Sequence, residues 1–163
     1  TDSYYNSFYG YNTTLPTEIG LLRKLQVLKM DFSGFMRQIP TEIGNMRSLK
    51  YWRMKGTFDT NRVSGTIPSQ FGSLTRMSEF MMQNNSLSGT LPSEIGGMDA
   101  LEIFSVQDNK LSGTIPDMFA NLQNLNEWDS FGNKLDGDLP SSIGAAGQPR
   151  LPLHPERALG RAP

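Results

Sequence analysis

The chain has no cysteine and a single histidine, His154, and these two scarcities remove several kinds of chemistry at once. Without thiols there is no disulfide framework, no thiolate nucleophile and no cysteine-ligated zinc or iron–sulfur site. An excess of either charge is also missing, since 15 basic and 16 acidic residues leave a formal net charge of -1. Net charge therefore makes no electrostatic case for nucleic acid or for an anionic membrane surface. No apolar run approaches the roughly 20 residues of a membrane-spanning helix, so no direct membrane insertion of this segment is expected. The start, Thr1-Asp2-Ser3, carries no initiating methionine, basic flank or apolar signal core, and the chain is expected to be a piece of a longer product.

What is present first looks lean. Hydrophobic residues make up 37% of the 163 positions, and the 16 glycines bring the total back to that of an ordinary globular protein. This argues against disorder throughout, and the length predicts one domain.

The informative feature is self-similarity. An apolar residue followed by proline recurs at Leu15-Pro16, Ile39-Pro40, Ile67-Pro68, Leu91-Pro92, Ile115-Pro116 and Leu139-Pro140, with prolines 24, 28, 24, 24 and 24 residues apart. Counted from Pro92, apolar side chains return at Ile95, Met98, Leu101, Phe104, Val106, Leu111 and Ile115. The unit before it places Phe71, Leu74, Met77, Phe80, Met82, Leu87 and Leu91 in the same slots. Glycine stands fourth in most units (Gly20, Gly44, Gly72, Gly96) and asparagine seventeenth in the later ones (Asn85, Asn109, Asn133).

Each unit reads as one coil. The twelfth and fourteenth slots alternate with outward neighbours, the period of a strand with one buried face. The stretch after each proline, such as Ser93-Glu94-Ile95-Gly96, opens with a capping-type serine and predicts one helical turn. The Leu-Ser-Gly-Thr-Ile-Pro segment reads as a second extended piece, closed by a proline that cannot donate to a ladder. One coil alone buries too little to fold, so neighbours must stack. The asparagines are expected to form a ladder that satisfies backbone groups at the turn after each strand.

These motifs resemble leucine-rich repeat proteins of the plant and algal class, with units near L-x-x-L-x-x-L-x-L-x-x-N-x-L-S-G-x-I-P. The strongest matches are Leu87-Ser88-Gly89-Thr90-Leu91-Pro92 and Leu111-Ser112-Gly113-Thr114-Ile115-Pro116. The resemblance implies an α/β solenoid: a right-handed horseshoe segment with a parallel β-sheet on its concave face and short helical or 3-10 turns on the convex side. It also implies an extracellular or cell-surface protein, with an intracellular one as the alternative. Family members mostly act by binding, as receptor-kinase ectodomains, polygalacturonase inhibitors and related proteins.

The expected organisation is 1–14 as a degenerate repeat or N-terminal cover, 15–144 as the solenoid, with five full repeats and the start of a sixth, and 145–163 as a Pro/Arg-rich tail that is disordered or non-native. The tyrosine-rich start (Tyr4, Tyr5, Phe8, Tyr9, Tyr11) fits the repeat poorly. Ser33 and Arg37 replace the asparagine and glycine of the first unit, and the second unit carries four extra residues within Lys55 to Arg62. The cysteine-containing end caps of the family are missing and the fifth unit's strand would be a bare edge, so a missing continuation, a partner or self-association through the uncapped ends is expected.

Catalysis finds little support. No nucleotide-binding glycine loop, zinc-protease motif or calcium loop is present, and no metal or cofactor is expected. Glu127 and Asp129 stand at i and i+2 on one strand, about 7 Å apart, a spacing that any two outward acids share. The chain is therefore read as non-catalytic.

Binding is better supported. The eleventh, thirteenth and fifteenth slots point outward and form columns across the strands. Candidate partner-binding residues are Lys29, Tyr51, Arg53, Lys55, Glu79, Met81, Ile103, Glu127, Asp129 and Phe131. The early rows are basic, the middle holds Met81 and Ile103, and the last row is acidic with Phe131. A protein or peptide with acid at one end and base at the other would be complementary. The bland alternative is a solvated sheet face. A second alternative is the ligand-sensing ectodomain fragment of a receptor-like kinase. A remote one is ice binding through the column Thr14, Thr66, Thr90 and Thr114, with Ser64, Ser88 and Ser112 beside it; threonine's strand propensity also explains that column. Asn12-Thr13-Thr14 and Asn84-Asn85-Ser86 are glycosylation acceptor patterns, which makes Asn12 and Asn84 candidate sites.

Overall fold

The computed structural model describes residues 3–5, 14–31, 37–56 and 63–145, with backbone alone at 3–5 and 145. Asn12, Ser33, His154, the aromatic residues Phe8, Tyr9 and Tyr11, most of the insertion (57–62) and the tail from 146 lie outside the described residues.

Among the described residues, ten short strands form two parallel sheets. The first sheet holds β1 (Ser3–Tyr5), β2 (Val27–Lys29), β3 (Tyr51–Arg53), β5 (Glu79–Met81), β7 (Ile103–Ser105) and β9 (Glu127–Asp129), in that order. The second runs β4 (Ser64–Gly65), β6 (Ser86–Gly89), β8 (Lys110–Thr114) and β10 (Lys134–Asp136). Each coil thus gives one strand to the first sheet, and from Ser64 onward the Leu-Ser-Gly-Thr stretch gives another to the second. The extended segment expected after each strand is a ladder in its own right.

Between a coil's second extended segment and the next strand of the first sheet stands a 3-10 turn, at Thr17–Leu21, Thr41–Asn45, Ser69–Ser73, Ser93–Gly97, Phe119–Asn121 and Ser141–Ala145. Proline starts most of them because its fixed φ suits the entry, as at Pro16 (φ -70°) and Pro40 (φ -69°). The Ile19 and Ile43 N–H groups donate three residues back, to Pro16 and Pro40 C=O, at 3.1 and 3.2 Å. The serine and threonine after proline do not cap the backbone. Thr17, Thr41 and Ser93 hydroxyls donate instead to Glu18, Glu42 and Glu94 at 3.3–3.4 Å. The cap position is taken by the proline itself, and the serine or threonine is the first residue inside the turn, which is why the capping expectation fails.

Stacking decides the glycine in these turns. A Cβ on Gly20 would stand 2.6 Å from the Glu42 carbonyl oxygen of the next coil, and one on Gly44 2.8 Å from Gln70 Cβ. Any larger residue would hold the coils apart.

The core is a set of columns. Leu28, Trp52, Phe80, Phe104 and Trp128 are paired in register across the first sheet and are all buried. Phe80 and Phe104 stack at 5.2 Å, and Phe104 and Trp128 at 4.3 Å, near parallel in both cases. The indole N–H of Trp128 donates to the buried Ser130 hydroxyl at 3.1 Å.

The asparagine ladder ties the coils together. Asn109 Nδ2 donates to the carbonyls of Met82, Val106 and Gln107 at 2.9, 3.0 and 3.3 Å, while its Oδ1 accepts the Leu87 N–H at 2.9 Å. Asn85 and Asn133 repeat the arrangement one coil to either side. Each amide therefore satisfies backbone groups in its own coil and the preceding one.

Candidate functional site

The first sheet aligns the outward side chains by register. Val27, Tyr51, Glu79, Ile103 and Glu127 form one column, and Lys29, Arg53, Met81, Ser105 and Asp129 the next. Neighbours in a column are about 4.8 Å apart, the strand spacing. The strands bury their middle residue and turn the flanking two outward, as in Tyr51-Trp52-Arg53. Glu127 is exposed, and the other nine candidate residues are half-buried.

Two outward positions are nevertheless closed. Ser105 is 2% exposed and Gln83 is 7% exposed, so the middle of the face offers fewer polar contacts than the alternation implies. Ser105 donates its hydroxyl to Gln107 Oε1. Gln83 Oε1 is buried and has no hydrogen-bond partner.

At the basic end, Arg53 Nε lies 2.5 Å from Asp31 Oδ2, and the other oxygen of Asp31 accepts the Lys55 N–H at 2.8 Å. The face there is thus three cations against one carboxylate, with Arg53 already braced by Asp31. The early rows keep a basic excess in which Arg53 is ion-paired.

At the acidic end, Asp129 Oδ1 accepts the Phe131 N–H at 3.1 Å. Beside it stands Asp108, which reasoning from the alternation missed because it lies one residue beyond the outward slots. Its backbone is left-handed at φ 56°, like the equivalent Asn84 at φ 58°. Asp108 is exposed, yet desolvation of its carboxyl against the protein surface, and then the charge of Asp129, push it above its ordinary value. Gly132 holds the same slot one coil later, and a Cβ there would run into the Asp108 carboxylate. The one cue the sequence held was an acid in a turn slot otherwise occupied by Asn84 and Gly132, and alternation does not read that slot.

The second sheet presents the threonine column. Thr14, Thr66, Thr90 and Thr114 are exposed, as are Gln38 and Asp138 in the same slot. For Thr66, Thr90 and Thr114 the shared cause is packing. Gly89, Gly113 and Gly137 are left-handed at φ 77°, and a Cβ on each would stand 2.8–3.0 Å from the γ-methyl of the threonine in the preceding coil. The methyls lie on the glycines and set the side-chain orientation. Ser88 turns its hydroxyl toward the Gly65 carbonyl at 3.4 Å.

Among the candidate acceptors, Asn84 is half-buried. Among the described residues, no three His, Cys, Asp or Glu side chains gather in a way that would hold a metal ion. No described helix is long and apolar enough to cross a membrane.

The family model described as Leucine Rich Repeat matches residues 76–98 and 100–122. No curated protein sequence matches. The chain is similar to the leucine-rich repeat ectodomain of the plant membrane receptor kinase GASSHO1/SCHENGEN3 from Arabidopsis thaliana, solved in complex with CASPARIAN STRIP INTEGRITY FACTOR 2. Identity is 37% and the TM-score 0.72, over 81% of this chain and 15% of that one. It is also similar to the Arabidopsis receptor kinase HAESA, solved with the peptide hormone IDA and the co-receptor SERK1, at 31% identity and TM-score 0.61 over 82% of this chain and 26% of that one. A plant ice-binding protein matches at 25% identity and TM-score 0.70, over 77% of this chain and 39% of that one. The chain spans well under two thirds of each. With parallel sheets joined by short 3-10 turns, the fold is an α/β leucine-rich repeat solenoid.

Proposed function

We propose that this chain is a non-catalytic recognition segment of the plant-type Leu-Ser-Gly-x-Ile-Pro repeat class, and that it captures an extracellular protein or peptide on the concave, outward face of the six-stranded sheet. The observation that carries this reading is the register that lines up Lys29 with Arg53 and Met81, and Tyr51 with Glu79, Ile103 and Glu127. Chemically different side chains are held at fixed spacing on a rigid support, which is what sequence-selective capture needs. The favoured ligand is extended, with acidic groups over Lys29, Arg53 and Lys55, an apolar centre over Met81 and Ile103, and basic groups toward Glu127 and Asp129. Tyr51 and Phe131 supply the aromatic contacts that dominate such interfaces. Likeness to ectodomains solved with peptide and protein ligands supports this reading and an extracellular setting.

The test is panning of a random-peptide display library on the chain and on its Tyr51→Ala/Arg53→Glu variant. Selected peptides should carry the acid-apolar-base order, and the variant should lose about tenfold or more in affinity. The Arg53–Asp31 pair lies at a partly exposed site, so melting should fall by only a few degrees, about 1 kcal/mol. Undiminished capture would move the binding surface elsewhere.

Ice binding is the second reading, favoured by three successive threonines, Thr66, Thr90 and Thr114, held in one orientation, and by the likeness to a plant ice-binding protein. Shaping of ice crystals by the chain, lost in Thr90→Lys, would support it; unshaped growth would remove it. The further alternative, that a kinase lies elsewhere in the same product, is decided by the full-length transcript. Self-association at the solenoid ends would show as a concentration-dependent mass in sedimentation.

A further inference from the structure

A cavity of about 410 Å³ opens between the four-stranded sheet and the 3-10 turns, across three successive coils. Its size falls in the range of small-molecule sites, about 300–1,000 Å³. Ile39, Ile67 and Pro68 are buried and make an apolar floor; Gln38, Thr66 and Thr90 are exposed and stand around it. Thr41, Ser69 and Gln70 complete the polar wall, and no charged side chain lines the cavity.

Two of these residues break the repeat where the fold does not require it. Gln38 occupies the slot held by Thr66, Thr90 and Thr114 in later coils. Gln70 occupies the slot held by Glu18, Glu42 and Glu94 in its neighbours. In those neighbours the preceding hydroxyl is tied to the carboxylate, as Thr17 is to Glu18 and Ser93 to Glu94. Ser69 has Gln70 beside it and makes no such bond. Both departures converge on one cavity, lengthening its wall at Gln38 and removing a negative charge at Gln70.

We propose that this groove binds a neutral oligosaccharide. Glutamine amides and threonine and serine hydroxyls each donate and accept, which is what sugar hydroxyls require of their partners. The apolar floor suits the C–H face of a pyranose ring. An anionic ligand would shed its hydration here without meeting an opposite charge, and at Thr41 it would approach the Glu42 carboxylate to which that hydroxyl donates. The groove lies on a different surface from the outward columns of the six-stranded sheet, so the proposal does not rest on peptide capture.

The test titrates the 163-residue chain with cellohexaose, xylohexaose, mannohexaose and laminarihexaose, and with hexagalacturonate as the acidic comparator, by calorimetry and saturation-transfer NMR. The Gln38→Thr/Gln70→Glu variant restores the residues that other coils use in these slots, so it should melt like the parent. At least one neutral hexasaccharide should bind more tightly than hexagalacturonate, and the variant should lose about tenfold or more in that affinity while its capture of displayed peptides is unchanged. Absence of binding by all four neutral sugars at roughly 10 mM would overturn the proposal. So would equal affinity of parent and variant, tighter binding of hexagalacturonate, or a variant defect confined to peptide capture or to ice shaping.

Discussion

The two sheets of this molecule follow the same coil and have opposite characters. Along the second sheet, Ser64, Ser88 and Ser112 repeat, as do Gly65, Gly89, Gly113 and Gly137, and threonine follows most of these glycines. The outward columns of the first sheet follow no such rule: Val27, Tyr51, Glu79, Ile103 and Glu127 mix aliphatic, aromatic and acidic side chains in one column. The difference lies in what each side chain touches. A threonine methyl rests on the glycine of the next coil, so one choice dictates the other. Among the described residues no such repeating contact ties one outward residue of the first sheet to a fixed partner in the next coil, as the change from Tyr51 to Glu79 to Ile103 along one column shows, and its identity is left open to recognition.

The sharpest way to break the comparison is to attack what both sheets depend on. Asn109 makes four hydrogen bonds between backbone groups on its own and the preceding coil, most of them buried. Asn109→Ala leaves those donors and acceptors unpaired, and should cost about 3 kcal/mol or more in urea unfolding. A loss below about 1 kcal/mol would mean that water replaces the amide and that the ladder is not what holds the coils.

Next in size is the threonine–glycine coupling. Gly113→Ala forces a left-handed alanine (φ 77°) and sets its Cβ 3.0 Å from the Thr90 methyl, at a cost of about 1–2 kcal/mol. In a Thr90→Ser background the methyl is gone, and the same substitution should cost less by at least about 0.5 kcal/mol. Additive costs would dissolve the explanation of the uniform column and leave strand propensity, or selection for ice, as its cause. The Tyr51→Ala/Arg53→Glu variant probes the opposite side of the comparison, where stability should barely move and capture should.

Much of this was readable from period alone. The spacing located five strands of the first sheet and put Trp52, Phe80, Phe104 and Trp128 inside, because an inward slot is set by alternation and needs no knowledge of neighbours. It also placed the asparagines at the turn. It could not show that Ser105 and Gln83 are covered, since that depends on the length of side chains on adjacent coils. Nor could it pair Arg53 with Asp31, which sit 22 residues apart and meet only once the register is set. Asp108 was invisible for a related reason: its turn slot carries no alternation, and its importance comes from standing near Asp129.

The smallest effect is the most diagnostic of the acidic end. Asp108 has its carboxyl raised from 3.8, first by desolvation and then by Asp129. The folded state thus holds this proton more tightly than the unfolded chain. Its contribution is fully present below the unfolded pKa and is lost as pH rises through the folded one, so at neutral pH the ionised group opposes folding. Asp108→Asn should raise stability slightly at pH 7, and the gain should shrink as pH falls toward 4 and below. Asparagine also tolerates a left-handed backbone better than aspartate does, which would add a pH-independent part. Asp129→Asn separates the two, because it leaves the backbone of residue 108 alone and removes only the neighbouring charge. Followed by NMR titration, the Asp108 carboxyl should then move down toward its ordinary range without reaching it, since desolvation remains the larger cause. A carboxyl that does not move would detach Asp108 from the last row of the recognition face and leave it a turn residue.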